Sequence, residues 1–89
     1  MQEKEVRIVN KLGLHARAAA RLVTLTSRFE SRIELGRNGQ MVNAKSIMGI
    51  MMLAASKGTT LKVVAEGPDE EEAVTAIETL VNNRFDEDE

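Results

Sequence analysis

The sequence predicts a two-layer α+β fold of order β-α-β-β-α-β-α, with helices packed on one side of a small sheet. Three observations carry this. The apolar period switches between two and about 3.6 residues several times along the chain. An Asn38-Gly39 pair separates two short runs, a strong hairpin signal. Each strand-like run offers one apolar face for helices to cover. The 89 residues are expected to form one domain, 1–89, with one modest core. Such a domain is too small to enclose a large substrate cavity, so its chemistry belongs at the surface.

The elements follow in order. Glu5-Val6-Arg7-Ile8-Val9 alternates, with Val6 and Ile8 inward, and predicts the first strand. Asn10 to Leu14 is a loop pivoting at Gly13. From Ala16 to about Phe29, Ala19, Leu22, Val23, Thr26 and Phe29 share one helical face. Arg17, Arg21, Thr24 and Arg28 run along another as a basic stripe, either a solvated face or a docking surface for an acidic partner. Arg32 to Leu35 and Gln40 to Asn43 form the hairpin, with Val42 inward. Ser46 is a good N-cap for a second helix, which Lys57-Gly58 is expected to end. That helix is apolar all round, and full burial is hard to arrange in so small a domain, so part of Ile47, Met48 and Met51 is expected to face solvent as an adaptable partner surface, the alternative being plain core packing. Leu61, Val63 and Ala65 mark the last strand, which Gly67-Pro68 breaks. Asp69 and Glu72 are spaced as a capping box for a final helix buried through Ala73, Val74, Ile77, Leu80 and Val81. The acidic end, Asp86-Glu87-Asp88-Glu89, is expected to fray.

Composition excludes several classes. The net charge of −2 and two phenylalanines as the only aromatics disfavour a nucleic-acid surface. Without cysteine, and with one histidine, there is no thiol chemistry and no set of metal ligands, so neither metal nor cofactor is expected. No apolar run approaches the roughly 20 residues that span a bilayer, and the charged start Met1-Gln2-Glu3-Lys4-Glu5 leads into no signal-peptide core. A soluble cytoplasmic protein without membrane insertion is the expectation.

The one histidine, His15, falls where the strand-like run gives way to the first helix. First-turn N–H groups have no helical partner, and the helix dipole is positive there, which suits phosphate. Histidine is a poor cap compared with Ser, Thr, Asp or Asn. The local field disfavours the imidazolium, leaving a neutral, nucleophilic ring, and Arg17 adds a fixed charge for a phosphoryl group. A histidine at a helix start is also commonly an ordinary surface residue.

Two motifs carry a resemblance. Lys11-Leu12-Gly13-Leu14-His15-Ala16-Arg17 resembles the active-site signature of the HPr family, the histidine-containing phosphocarrier proteins of the bacterial phosphotransferase system. Asn43-Ala44-Lys45-Ser46-Ile47-Met48-Gly49 resembles that family's second signature, around a regulatory serine. The resemblance spans essentially the whole chain and implies an open-faced β-sandwich, a four-stranded antiparallel sheet with three helices on one face. It implies that His15 is phosphorylated on Nδ1 by phospho-enzyme I, which draws on phosphoenolpyruvate, and passes the group to an EIIA domain. Ala16 and Arg17 would bind the phosphoryl group. Ser46 would be the target of an HPr kinase/phosphorylase in some bacteria, although its capping role alone justifies a serine. The partner surface would combine Ala16, Arg17, Ala20, Arg21 and Thr24 with Ile47, Met48 and Met51. The protein would be a monomeric transfer intermediate in sugar transport or nitrogen-linked regulation, not a stand-alone catalyst. The end Phe85-Asp86-Glu87-Asp88 looks like nitrogen-branch relatives. Ala18 stands where the family usually has proline, and Leu12 where some members have a polar residue. The alternative is a regulatory binding module of the same fold that carries no phosphate; such a module would be expected to lack the histidine.

Overall fold

The computed structural model describes residues 1–88. Its elements are β1 (Gln2–Arg7), α1 (Ala16–Thr26), β2 (Arg32–Arg37), β3 (Gln40–Asn43), α2 (Ile47–Met52), β4 (Thr60–Glu66) and α3 (Glu70–Asn82), followed by a short 3₁₀ turn, Arg84–Asp86. The four strands make one antiparallel sheet in the order β1-β4-β2-β3. β4, last in sequence, therefore lies inside the sheet, with Val63 opposite Lys4 on one side and Leu35 on the other.

Alternation places the inner face as expected. Val6, Ile33, Leu35, Leu61, Val63 and Ala65 are buried, and Val42 packs against them partly buried. The helices close over this face with Ala18, Ala19 and Leu22 from α1, Ile50 from α2, and Ala73, Val74, Ile77 and Val81 from α3. Val23, Phe29 and Leu80 lie at the edge of the same cluster, half-buried. β1 starts earlier than expected, at Gln2, because its outer residues have ladder partners in β4 even without an inward apolar side chain. Ile8 lies just past the strand but continues the pairing, its N–H on Thr59 O at 2.9 Å and its carbonyl on Gly58 N at 2.7 Å. Asn38 and Gly39, at φ 52° and 84°, make the hairpin turn.

Two expected helix ends are corrected. α2 stops at Met52, not at Lys57-Gly58. Ala54 turns to φ 49°, and the Arg37 guanidinium, arriving from β2, donates to the carbonyls of Leu53 and Ala54 at 2.9 Å each. A cation on the last carbonyls of a helix satisfies acceptors that the helix leaves open. Lys57-Gly58 instead forms the turn into β4, with Gly58 at φ 91°. The second correction is at α3. Asp69 is the N-cap residue but makes no capping hydrogen bond. Its carboxylate reaches across to the loop before β2, accepting from Glu30 N and Ser31 N at 2.9 Å each and from Ser31 Oγ at 2.5 Å. Gly67, which opens this corner, approaches so closely that a Cβ would lie 2.6 Å from Ser31 Cα.

The chain end is also not frayed as expected. Arg84, Phe85 and Asp86 take left-handed backbone, at φ 57°, 53° and 63°. Each such residue costs about 1–2 kcal/mol when it carries a Cβ. Burying a phenyl ring contributes about 1.5–3 kcal/mol, and Phe85 has no exposed surface. Hydrogen bonds from Arg21 Nη1 to Phe85 O (2.5 Å) and from Asn83 Nδ2 to Asp86 Oδ1 (2.7 Å) hold the turn. Glu89 lies outside the described residues.

Candidate functional site

His15 is the N-cap of α1, in extended backbone (φ −77°, ψ 177°). Its Nδ1 accepts from the N–H of Arg17 at 3.3 Å, and its carbonyl accepts from Ala19 N at 2.9 Å. The loop before it is fixed from outside. Leu14 N donates to Ala55 O at 2.9 Å, and Gly13, at φ 67°, lies so near the chain after α2 that a Cβ would fall 2.5 Å from Ala55 O. Gly13 is thus required by close approach of two backbones as well as by the turn.

The other edge of the ring meets the chain end. His15 Nε2 is paired with the Glu87 carboxylate through Oε2. Glu87 Oε1 accepts from Asn10 Nδ2 at 2.9 Å, and the same Nδ2 donates to Gly13 O at 2.8 Å. Asn10 has no exposed surface, while the His15 side chain remains 27 % exposed. These contacts fix the tautomer. A backbone N–H can only donate, so Nδ1 holds a lone pair; a carboxylate can only accept, so Nε2 carries the proton. Desolvation pushes the Glu87 carboxyl up, but hydrogen bonds from Asn10 and His15, with the charges of His15 and Arg21, outweigh it and hold the group below the ordinary carboxylate range.

The remaining expected site residues lie around this ring. Ala16 and Arg17 are exposed in the first turn of α1. Ala20 and Arg21 are half-buried one turn on, and Arg21 is engaged with the Phe85 carbonyl. Thr24 is exposed, with its hydroxyl on Ala20 O at 3.0 Å. The basic stripe of Arg17, Arg21 and Arg28 borders a groove whose far wall is Ala76 and Leu80 of α3. Ser46 caps α2, its Oγ accepting from Gly49 N at 3.1 Å. Ile47, Met48 and Met51 are exposed, Met48 at 78 %, and Met52 adds to the same surface at 67 %. α1 packs on α2, which carries the exposed methionines, and on α3, across the groove that the arginines border.

Sequence reasoning missed Asn10 and Glu87. The available signals were a buried-strand end occupied by an asparagine and a lone phenylalanine beyond the last helix, which has to be buried somewhere. Among the described residues no helix is long and apolar enough to cross a membrane, and no cluster of three or more His, Cys, Asp or Glu could hold a metal.

Comparison with known proteins identifies the family and the fold. Residues 2–83 match the family model "PTS HPr component phosphorylation site". The chain is 52 % identical over 89 residues to the phosphocarrier protein HPr of Cupriavidus necator, covering all of both chains. It is similar to the crystal structure of HPr-C-His from Thermoanaerobacter tengcongensis, with a TM-score of 0.96, 48 % identity and full coverage of both. A crystal structure of an HPr dimer from the same organism matches at 0.78 and 49 %, covering 98 % of this chain and all of that one. A match of this extent to a family model and to full-length relatives settles the family: the chain belongs to the HPr family, the phosphocarrier proteins of the phosphotransferase system.

Proposed function

We propose that His15 is the carrier residue, accepting a phosphoryl group on Nδ1 from phospho-enzyme I, charged by phosphoenolpyruvate, and passing it to a histidine of an EIIA domain. The observation that carries this is the lone pair of Nδ1, aimed into the first turn of α1 and fixed there by Arg17 N–H. In the forward step Nδ1 attacks phosphorus, and the pair of the breaking phosphorus–nitrogen bond returns to the donor ring. As Nδ1 attacks, its lone pair enters the new bond and releases the Arg17 N–H, which with the Ala16 N–H and the helix dipole then faces the incoming dianion, and the Arg17 guanidinium supplies charge from the same exposed first turn. Transfer of this kind needs positioning and charge stabilisation above all, and the docked partner supplies what a shallow surface site lacks.

The partner surface in this reading is Ala16, Arg17, Ala20, Arg21 and Thr24 together with Ile47, Met48 and Met51. Exposed methionines suit a carrier that fits several partners. Phosphorylation of Ser46 by an HPr kinase/phosphorylase would place about two negative charges beside Ile47 and Met48 and oppose acidic partners. The carrier acts as a cytoplasmic monomer in sugar uptake or nitrogen-linked regulation, and transfer to purified EIIA proteins of each branch identifies the acceptor.

The direct test is labelling from phosphoenolpyruvate with enzyme I. The wild-type chain is expected to gain one acid-labile phosphate and His15→Ala none; equal labelling of the variant would remove His15 from the mechanism.

A further inference from the structure

Given the carrier reading of His15, we propose that Glu87 is a positioning residue for the transfer: its carboxylate, held by the buried Asn10 amide, keeps the proton on Nε2 of His15 through the whole cycle and so reserves Nδ1 for phosphorus.

The geometry is that of a relay fixed at both ends. Asn10 Nδ2 ties Glu87 Oε1 to the loop that carries the histidine, at 2.9 Å, and Glu87 Oε2 faces Nε2. The chain reaches this place through three consecutive left-handed residues, none of them glycine. Strain of this kind persists only where surrounding contacts determine it, and it concentrates at functional sites. Here Phe85 is driven into the core, and Arg21, a residue of the carrier helix itself, grips its carbonyl. Residues 84–87 thus return one carboxylate to the ring.

Two consequences follow for the reaction. A free neutral imidazole exchanges its proton between both nitrogens, and a proton on Nδ1 blocks attack. With a carboxylate at Nε2 and the Arg17 N–H at Nδ1, only the reactive tautomer satisfies both partners. When Nδ1 attacks, the nitrogen–phosphorus bond forms, the donor bond breaks, and the ring becomes an imidazolium whose positive charge faces Glu87. In the return step the pair of the nitrogen–phosphorus bond goes back to Nδ1, and the ring departs neutral because Nε2 has kept its proton. Loss of that proton would make the leaving group an imidazolate, a far poorer one. No proton crosses the ring in either direction.

Other charged groups line the same cleft, namely Arg17 and Arg21 from α1, Lys11 from the preceding loop, and Asp86 and Asp88 from the chain end. Replacing Glu87 alone leaves them in place, so the comparison isolates its carboxylate. The full-length chain with nitrogen-15 histidine is the material, and the ring-nitrogen resonances are the first readout. Wild type is expected to show the Nε2–H tautomer. Glu87→Ala, which leaves only the long Arg17 N–H contact at Nδ1 to bias the ring, is expected to show a larger share of the Nδ1–H tautomer in exchange with the first. Glu87→Gln removes the charge and keeps one acceptor oxygen, which serves the Nε2–H at the expense of the Asn10 Nδ2 contact. It is expected to retain the tautomer, while the pH above which the phosphorylated protein stops transferring falls by about one unit. An unchanged tautomer in Glu87→Ala, or superimposable pH profiles for wild type and Glu87→Gln, would overturn the proposal. The tautomer measurement needs no phosphoryl donor, so failure of the carrier reading, seen as absent labelling of wild type, is distinguishable from failure here.

Discussion

His15 and Ser46 occupy the same structural position at two different helices, and they are held there in different ways. Both are N-caps in extended backbone whose side chains accept an N–H of their own first turn. The contacts of Ser46 itself are local: its N–H bonds Asn43 O at 3.1 Å and its Oγ accepts from Gly49 N, while the remote anchors act on the residues before it, Ala44 through Ile33 O and the Thr26 hydroxyl and Lys45 through Phe29 O. His15 is placed from a distance, by the loop after α2 through Gly13 and Leu14, and by Glu87 from the far end of the chain. A capping hydroxyl that serves its helix needs only the N–H it accepts, as Ser46 Oγ does from Gly49 N. A cap that must present a particular nitrogen needs its ring orientation determined on both edges, which local geometry cannot provide.

The comparison can be broken most severely at Gly13. Gly13→Ala forces a left-handed residue to carry a Cβ and drives that Cβ to 2.5 Å from Ala55 O. Strain and overpacking together are expected to cost about 2–4 kcal/mol, read from chemical denaturation. Resonances of Asn10, His15 and Glu87 should shift, while those around Ser46 should stay. Equal disturbance at both caps would show that His15 is no more dependent on remote support than Ser46.

Ser46→Ala tests the local side. Loss of the cap is expected to cost about 1 kcal/mol, with the His15 ring resonances unmoved. Ser46→Asp separates capping from charge. Aspartate is as good an N-cap as serine, so stability should be retained while binding to acidic partners weakens beside Ile47 and Met48. Titration of both variants with an EIIA protein reads the difference.

The same contrast explains what could be read from the sequence. Element order, the inward residues of each strand, the cap positions of His15 and Ser46 and the exposed methionines all rest on local pattern, and local pattern is what a sequence displays. The contacts that escaped are those made by polar side chains over long separations. Arg37 ends α2 from the sheet, Asp69 ties α3 to Ser31, and Glu87 reaches a ring 72 residues away. The return of the chain end was hidden for a second reason. Arg84, Phe85 and Asp86 adopt a backbone that sequence signals assign to glycine, and burial of Phe85, the grip of Arg21 and the Asn83–Asp86 hydrogen bond hold it.

Asp69 supplies the smallest and most specific sharpening, because it is a third helix start used in a third way. Its carboxylate is given to the loop before β2 and not to its own helix, which makes it a tether whose strength depends on charge. The Ser31 hydroxyl, then the Glu30 N–H, hold its carboxyl below the ordinary carboxylate range. A folded-state value below the unfolded one contributes stability that is present above the unfolded value, about pH 4. That stability is lost as pH falls through the depressed folded value. Asp69→Asn should therefore be less stable than wild type at neutral pH, and the gap should close on acidification below about pH 4. Urea midpoints measured across that range give the answer. A gap independent of pH would mean that the tether works through hydrogen-bond shape alone, leaving the charge of Asp69 without a role.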